Sequence, residues 1–220
     1  MLKLAAVLAV GVITMGGWAT VTVKDLPEYV VAGQQYTLEF QVRQHGRRAL
    51  SGLQPRLIMA TSERRLAGLM GGKDETIIAA VPRPGEGNYA VTFTAPNADR
   101  VFLTIQSGWG SSETRLFPER VVARGVTPPA LPLAERGQML FVAKGCNTCH
   151  ANTDLANGPE NTALAVGPAL GGRHLAREYT IQKMKNPSSQ VMPDLGLSDA
   201  EAAAIAAFLS GDRATATGGR

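Results

Sequence analysis

The two cysteines of this 220-residue sequence, Cys146 and Cys149, are separated by two residues, and His150 follows directly. In a C-x-x-C-H pattern, two thiols on one turn can each add to a vinyl group of haem, and the adjoining imidazole is then held under the iron. A thioredoxin-like dithiol needs a βαβ pattern and a zinc site needs four ligands, but the sequence has neither that pattern nor a second Cys/His cluster. The spacing therefore predicts one covalently bound haem c, with Cys146 and Cys149 as thioethers and His150 as an iron ligand.

Helical patterns flank this motif and are expected to position it. Apolar residues recur at spacings of three and four from Leu133 to Phe141, and Gly145 supplies a helix end immediately before the cysteines. Residues 198–201, Ser-Asp-Ala-Glu, form a capping box, and a last helix is predicted from there to Gly211. Residues 133–211 are therefore predicted to be all-α, with a flexible tail at 212–220.

Residues 133–211 resemble a class I cytochrome c domain. The matching stretches are Gly137 to His150, Gly167-Pro168-Ala169-Leu170, Asn186-Pro187, Val191-Met192-Pro193 and Leu197-Ser198-Asp199. The resemblance implies three or four helices wrapped on a haem, with the first and last crossing near Gly137. It also implies that the carbonyl of Pro168 accepts a hydrogen bond from the His150 nitrogen that faces away from the iron, which fixes the ring and keeps it electron-rich.

Four residues are candidates for the sixth position on the iron. The resemblance places the ligand at Met192, just ahead of the capping box. Met139 precedes the attachment site, and Met184 falls in a short helical stretch where packing against the haem is expected. His174 would give a bis-histidine iron of lower potential. We take Met192 as the predicted ligand, and a His/Met iron has no open position for a substrate.

Period-two alternation dominates residues 20–124. Tyr36, Leu38, Phe40 and Val42 alternate with polar residues, and about seven short strands separated by turn signals predict an antiparallel β-sandwich with an immunoglobulin-like outline. The residue types resemble small exported sandwiches of the FixH-like or YtkA-like kind. A two-copper centre of the oxidase subunit II type is excluded, because residues 20–132 contain no cysteine and a single histidine, His45, which is predicted to be a turn residue.

The ends and the middle of the chain indicate export and two domains. Residues 1–19 have an early Lys, an apolar run and small residues before Thr20, as in a signal peptide, with a short membrane anchor through residues 4–19 as the alternative. A periplasmic or other extracytoplasmic location is therefore expected. Residues 125–132 contain three prolines and predict a semi-stiff linker that would let the haem domain swing.

The net charge of +4 lies in the front half and has no block dense enough for a nucleic-acid interface. A local basic cluster, Arg173, Arg177, Lys183 and Lys185, is expected to ring the haem edge and attract acidic redox proteins, with an ordinary solvated helix face as the alternative. The predicted function is single-electron transfer without enzymatic chemistry or a small-molecule substrate, with the sandwich as a docking module. A subunit fixed in a membrane respiratory or dehydrogenase complex and a haem-based gas sensor are the alternatives.

Overall fold

The computed structural model describes residues 17–62, 74–155, 164, 166–188 and 192–211. Within these ranges the chain forms eleven strands, followed by three α-helices and one 3-10 turn. The strands are β1 Ala19–Val23, β2 Val30–Val31, β3 Gln35–Gln44, β4 Arg48–Ala49, β5 Arg56–Ala60, β6 Thr76–Ala79, β7 Val81–Pro82, β8 Asn88–Thr94, β9 Arg100–Gln106, β10 Glu113–Arg115 and β11 Glu119–Val122. The helices are α1 Leu133–Ala143, α2 Arg177–Lys185 and α3 Asp199–Leu209, and the 3-10 turn is Cys146–Thr148.

Three parts of the sequence predictions lie outside these ranges. They are residues 1–16 of the predicted signal segment, Val191 of the stretch that carries the resemblance, and the predicted tail at 212–220. No helix in the part of the chain that the structure describes is long and apolar enough to cross a membrane.

The strands build two sheets that share one apolar core. One sheet has the order β1-β3-β8-β7 with β4 on β3, and the other has the order β2-β11-β9-β5-β6 with β10 on β9. The front half is therefore all-β, as predicted. One strand pair departs from the antiparallel prediction, because β2 runs parallel to β11. The additional strands beyond the predicted seven are short pieces at sheet margins, where periodicity over two or three residues carries no signal.

Alternation along β3 explains how the sandwich core forms. Leu38, Phe40 and Val42 are buried, whereas the intervening residues are half-buried. The Phe40 ring stacks on Tyr89 of β8 with 6.0 Å between ring centroids. The Tyr89 hydroxyl donates a hydrogen bond to the Leu50 carbonyl at 2.7 Å, so its polar end is satisfied inside the core.

The first and last helices cross at a glycine, which has no side chain to separate them. A Cβ atom on Gly137 of α1 would overlap the carbonyl of Ala204 in α3, so only glycine allows the observed approach. Phe141 and Phe208 meet edge to face beside this crossing, at 5.6 Å between centroids. The predicted capping box is also present, because Ser198 and Glu201 each bond the backbone N–H of the other.

The β-sandwich and the helical domain are in direct contact. Arg136 of α1 donates hydrogen bonds to the carbonyls of Pro27, at 3.0 Å, and Leu26, and the Lys144 ammonium donates to the carbonyl of Lys24. The prediction that the linker leaves the haem domain free to swing therefore does not describe this structure. Interdomain docking is not visible in the sequence, since each polar contact joins residues about 110–120 positions apart.

Candidate functional site

The helical domain and one edge of the sandwich enclose a cavity of about 360 Å³. The sequence-predicted residues Cys146, Cys149, His150, Pro168 and Met192 all lie on its wall. Apolar side chains cover most of the remaining surface, including Leu170, Leu175, Leu195 and Leu209. A few polar and sulfur groups converging in an apolar cavity are typical of a cofactor site.

The C-x-x-C-H segment follows α1 through a tight turn. Gly145 adopts φ +77°, a left-handed conformation that ends the helix. The backbone N–H groups of Cys149 and His150 both donate to the carbonyl of Cys146, at 3.2 and 2.9 Å. This single turn brings both thiols and the imidazole to the same cavity.

The orientation of His150 is set by its own hydrogen bond and by a neighbouring glycine, which leaves room for the ring. Its Nδ1 lies 2.8 Å from the Pro168 carbonyl oxygen, which can only accept, so Nδ1 carries the proton and Nε2 keeps its lone pair for a metal. Gly167 lies against the ring, where a Cβ would come within 2.6 Å of Nδ1. Such an outer hydrogen bond is typical of a histidine that binds a metal.

Two of the four candidate sixth ligands reach the cavity. Met192 and Met184 are both on its wall, whereas Met139 is buried in the apolar core and is not part of the cavity lining. His174 is also absent from the lining, and its Nδ1 lies 3.4 Å from the Ser210 carbonyl. The fold thus leaves two thioethers as candidates for the sixth iron ligand, and one of them is the predicted Met192.

The environment of the thiols disfavours a reactive dithiol. Burial raises the pKa of Cys146 to about 12, with the neighbouring Cys149 as a smaller cause, and burial also raises the pKa of Cys149. Reactive dithiols show the opposite shift, because the thiolate is the attacking species. Within the described ranges, no group of three or more His, Cys, Asp or Glu side chains could hold a metal ion.

The residues present fit a haem c. Two thiols on one turn, a histidine with a free Nε2 and a thioether converge on one mostly apolar cavity, which is the donor set that a covalent haem with His/Met ligation requires. Cys146 and Cys149 would hold the group covalently, and His150 and Met192 would bind its iron.

The predicted basic cluster is divided between two environments. Arg173 and Lys183 lie on the cavity wall, and the Lys183 ammonium lies 5.8 Å from the centre of the Tyr179 ring, which is 53% exposed. Lys185 instead pairs with Asp199 at the start of α3. The positive charge at the cavity mouth is therefore smaller than the four-residue cluster suggested.

Residues of the sandwich that sequence reasoning did not select also line the cavity. Thr20 of β1 and Gly46 of the turn after β3 lie on its wall, together with Lys144 at the end of α1. No local pattern identifies Thr20 or Gly46 as site residues, because they reach the site only through interdomain docking. For the additional lining residues, the one feature of the sequence that could have indicated a role at the site is Lys144, a charged residue that interrupts the apolar run before Gly145.

Residues 132–209 match the family described as cytochrome c oxidase, cbb3-type, subunit III. This match identifies the segment as a cytochrome c domain, for which haem c binding and electron transfer follow. None of the curated proteins matches the chain.

Two similar solved structures are of a superoxide reductase (neelaredoxin) from Ignicoccus hospitalis. The first has 18% identity and a TM-score of 0.30 and covers 49% of this chain and 83% of that chain. The second has 20% identity and a TM-score of 0.29, with coverages of 47% and 83%. At these values the likeness carries no argument about the sandwich, and its resemblance to FixH-like proteins stays a prediction.

Proposed function

We propose, from the cytochrome c domain at residues 132–209, that the chain is an exported electron-transfer protein with one covalent haem c ligated by His150 and Met192. The observation that supports this most directly is the convergence of Cys146, Cys149, His150 and Met192 on one cavity. When bound, the haem supplies reversible one-electron chemistry at a saturated iron. The partners would be redox proteins that exchange electrons at the cavity mouth.

The chain's own residues orient the group and exclude water from it. The hydrogen bond from Nδ1 of His150 to Pro168 holds the imidazole in one orientation. The buried side chains of Met184 and Leu209 cover the cavity from two different helices. Low solvent exposure and a thioether ligand both favour a higher reduction potential than bis-histidine ligation in water would give.

A pyridine haemochrome assay on the full chain, expressed with the haem-attachment machinery, tests the cofactor. We expect one haem per chain, retained under denaturing conditions and lost in Cys146→Ala/Cys149→Ala. A protein that carries no haem, or haem that is released by denaturation, would contradict the proposal.

The sixth ligand is tested by a matched pair of variants. Met192→Leu is expected to remove the methionine–iron absorption band and lower the reduction potential, whereas Met184→Leu, at the other cavity-lining methionine, should preserve both. If Met184→Leu abolishes the band and Met192→Leu does not, the assignment to Met192 is wrong.

A subunit fixed in a membrane complex is the second candidate, and the start of the sandwich bears on it because cleavage before Thr20 would cut into the first strand. Ala19 pairs with Gln44 and is buried, and the Trp18 carbonyl accepts a hydrogen bond from the His45 N–H at 3.1 Å. Cleavage before Thr20 would remove both contacts, so we propose that the mature chain keeps Trp18 and Ala19. Mass spectrometry of the protein from its native membrane tests this. A chain that keeps residues 1–19 supports the membrane-fixed subunit, a chain cleaved before Trp18 supports the released carrier, and a mature chain starting at Thr20 would contradict the retention of Trp18 and Ala19.

A further inference from the structure

The described chain enters the β-sandwich at one end, between two loops. Gly17 lies against the loop that precedes β10, where an added Cβ would come within 3.0 Å of the Trp109 indole nitrogen. The ring of Trp18 lies beside the turn that follows β3, with 5.3 Å between its centroid and that of His45. The Trp18 carbonyl accepts a hydrogen bond from the His45 N–H at 3.1 Å. Both loops are therefore in contact with the two residues that precede β1.

This end of the sandwich, which we call the entry surface, consists of residues 17–18, 45–48 and 107–112. Arg47 and Arg48 are exposed there, and the three segments contain no acidic residue. Two acids lie outside it. Glu113 pairs with Arg115 at 2.8 Å, and Glu86, in the loop before β8, is separated from β1 by β3. The entry surface therefore carries a net positive charge.

The entry surface also contains both tryptophans of the chain, Trp18 and Trp109, and each is half-buried. An indole ring has a large apolar body and a polar N–H, so tryptophan favours the boundary between lipid chains and water. Arginine binds phosphate groups through its fork of N–H donors. Indole rings beside exposed arginines are therefore suited to a layer of anionic phospholipid headgroups.

The sequence that precedes the entry surface supplies the reason for a membrane there. Residues 4–15 are uncharged and mostly apolar, and they lie outside the described residues. Only Gly16 separates this run from Gly17, which is already packed on Trp109. One residue spans at most about 3.6 Å, so a run held in a bilayer leaves no spacer between the lipid and the sandwich. The entry surface must then lie on the headgroups.

We propose that the entry surface binds the anionic headgroups of a phospholipid bilayer and that residues 1–16 stay in the chain and hold it there. Arg47 and Arg48 bind the phosphate groups, and Trp18 and Trp109 lie at the boundary with the lipid chains. This inference goes beyond electron transfer and gives the sandwich a function of its own. Because Gly46 of the entry surface also lies on the cavity wall, the cavity then lies beside the membrane.

The test compares hydrogen–deuterium exchange of the full chain in detergent, in phosphatidylcholine vesicles and in vesicles that also contain phosphatidylglycerol. We expect the loops at 45–48 and 107–112 to take up less deuterium in the vesicles with phosphatidylglycerol than in the other two samples. The loop at 95–99 is the internal control, because β9 runs from that loop to the entry surface and places it at the opposite end of the sandwich. Its exchange should be equal in all three samples.

A matched pair of double variants tests the arginines of the entry surface against charge in general. Arg47→Glu/Arg48→Glu should lose the protection that phosphatidylglycerol gives. Arg100→Glu/Arg124→Glu makes the same change of charge at exposed arginines of the opposite end and should keep it. Equal protection in the two double variants, or none in the parent, would overturn the proposal.

Three further results decide the proposal without any variant. Raised salt should weaken the protection of the parent, because the attraction to the headgroups is screened, and protection that salt does not change would contradict the role of the arginines. Protection in native membranes but not in lipid vesicles would identify a protein partner and overturn the lipid assignment. A native chain that mass spectrometry shows to lack residues 1–16 would also overturn the proposal. None of these results depends on haem content, so failure of this proposal is distinct from failure of the proposed electron transfer.

Discussion

Glu119 of β11 is a fully buried acid whose two carboxylate oxygens have no hydrogen-bond partner among the described residues. Burial raises its pKa from 4.5 to about 8, against the opposing attraction of Arg136 and Arg120. The carboxyl is therefore neutral in the folded protein at pH 7 and ionised in the unfolded chain. The folded state therefore holds a proton that the unfolded state has lost. The contribution of Glu119 to the free energy of unfolding is fully present below pH 4.5 and is lost as the pH rises through 8.

Glu119→Gln should remove this pH dependence. We expect the variant to be more stable than the parent at pH 9, because no ionised carboxylate remains to be buried, and close to the parent at pH 4.5. Urea denaturation across this pH range measures the difference. Glu86→Gln, at an exposed acid, is the control and should follow the parent at every pH. A gap between Glu119→Gln and the parent that does not widen with pH would contradict the assignment of a raised pKa.

At the scale of elements, the crossing of α1 and α3 holds the helical domain together on one side of the cavity. The approach depends on Gly137, because the backbone of α3 occupies the space where a Cβ would lie. Backbone atoms cannot rotate aside as side chains can, so the two helices themselves would have to separate.

Gly137→Ala is therefore expected to destabilise the domain by about 3 kcal/mol, at the upper end of the usual cost of overpacking and despite the better helix propensity of alanine. Urea denaturation followed by helix ellipticity measures this loss. Glu135→Ala, at an exposed position of the same helix, should change stability by less than about 0.5 kcal/mol. An equal effect of both variants would show that the crossing does not need glycine.

At the scale of the whole molecule, Lys144 connects three parts of the chain. Its side chain is 4% exposed, and its ammonium lies 2.6 Å from Glu201 of α3 and donates to the Lys24 carbonyl after β1. Burial alone would raise the pKa of Glu201, but hydrogen bonds from Lys144 and Ser198 bring it below its ordinary value of 4.5. The pair therefore contributes stability above pH 4.5 that is lost as the pH falls through the lowered pKa.

Lys144→Met should weaken both the helical domain and its contact with the sandwich. We expect a loss of about 3 kcal/mol at pH 7, because Glu201 is left partly buried without its cation. The loss should be smaller at pH 3, because without Lys144 the carboxylate of the variant takes up a proton more readily and no unpaired charge is then buried. Differential scanning calorimetry at both pH values measures this. Lys24→Met, which breaks an exposed pair with Glu39, is the control and should cost much less at both pH values, because solvent screens the pair. Equal losses at pH 7 and pH 3 would contradict the role of the pair.

The local features of the chain were predictable from the sequence. The C-x-x-C-H turn, the capping box at Ser198 and the alternation along β3 each depend on residues within a few positions of one another, so their spacing along the chain is also their spacing in space. The crossing near Gly137 and the bond between His150 and Pro168 were expected from the resemblance to a cytochrome c domain, and both contacts are present.

Tertiary structure alone decided which distant residues meet at the cavity. Thr22 and Lys144 are 122 positions apart, and nothing in either local sequence indicates that β1 packs on the end of α1 or that Thr20 lies on the cavity wall. The same holds for the pairing of β2 with β11 and for the burial of Glu119 beside Arg136. Such contacts depend on the complementarity of two surfaces that exist only after each has folded, whereas the haem-binding motif is complete within five consecutive residues.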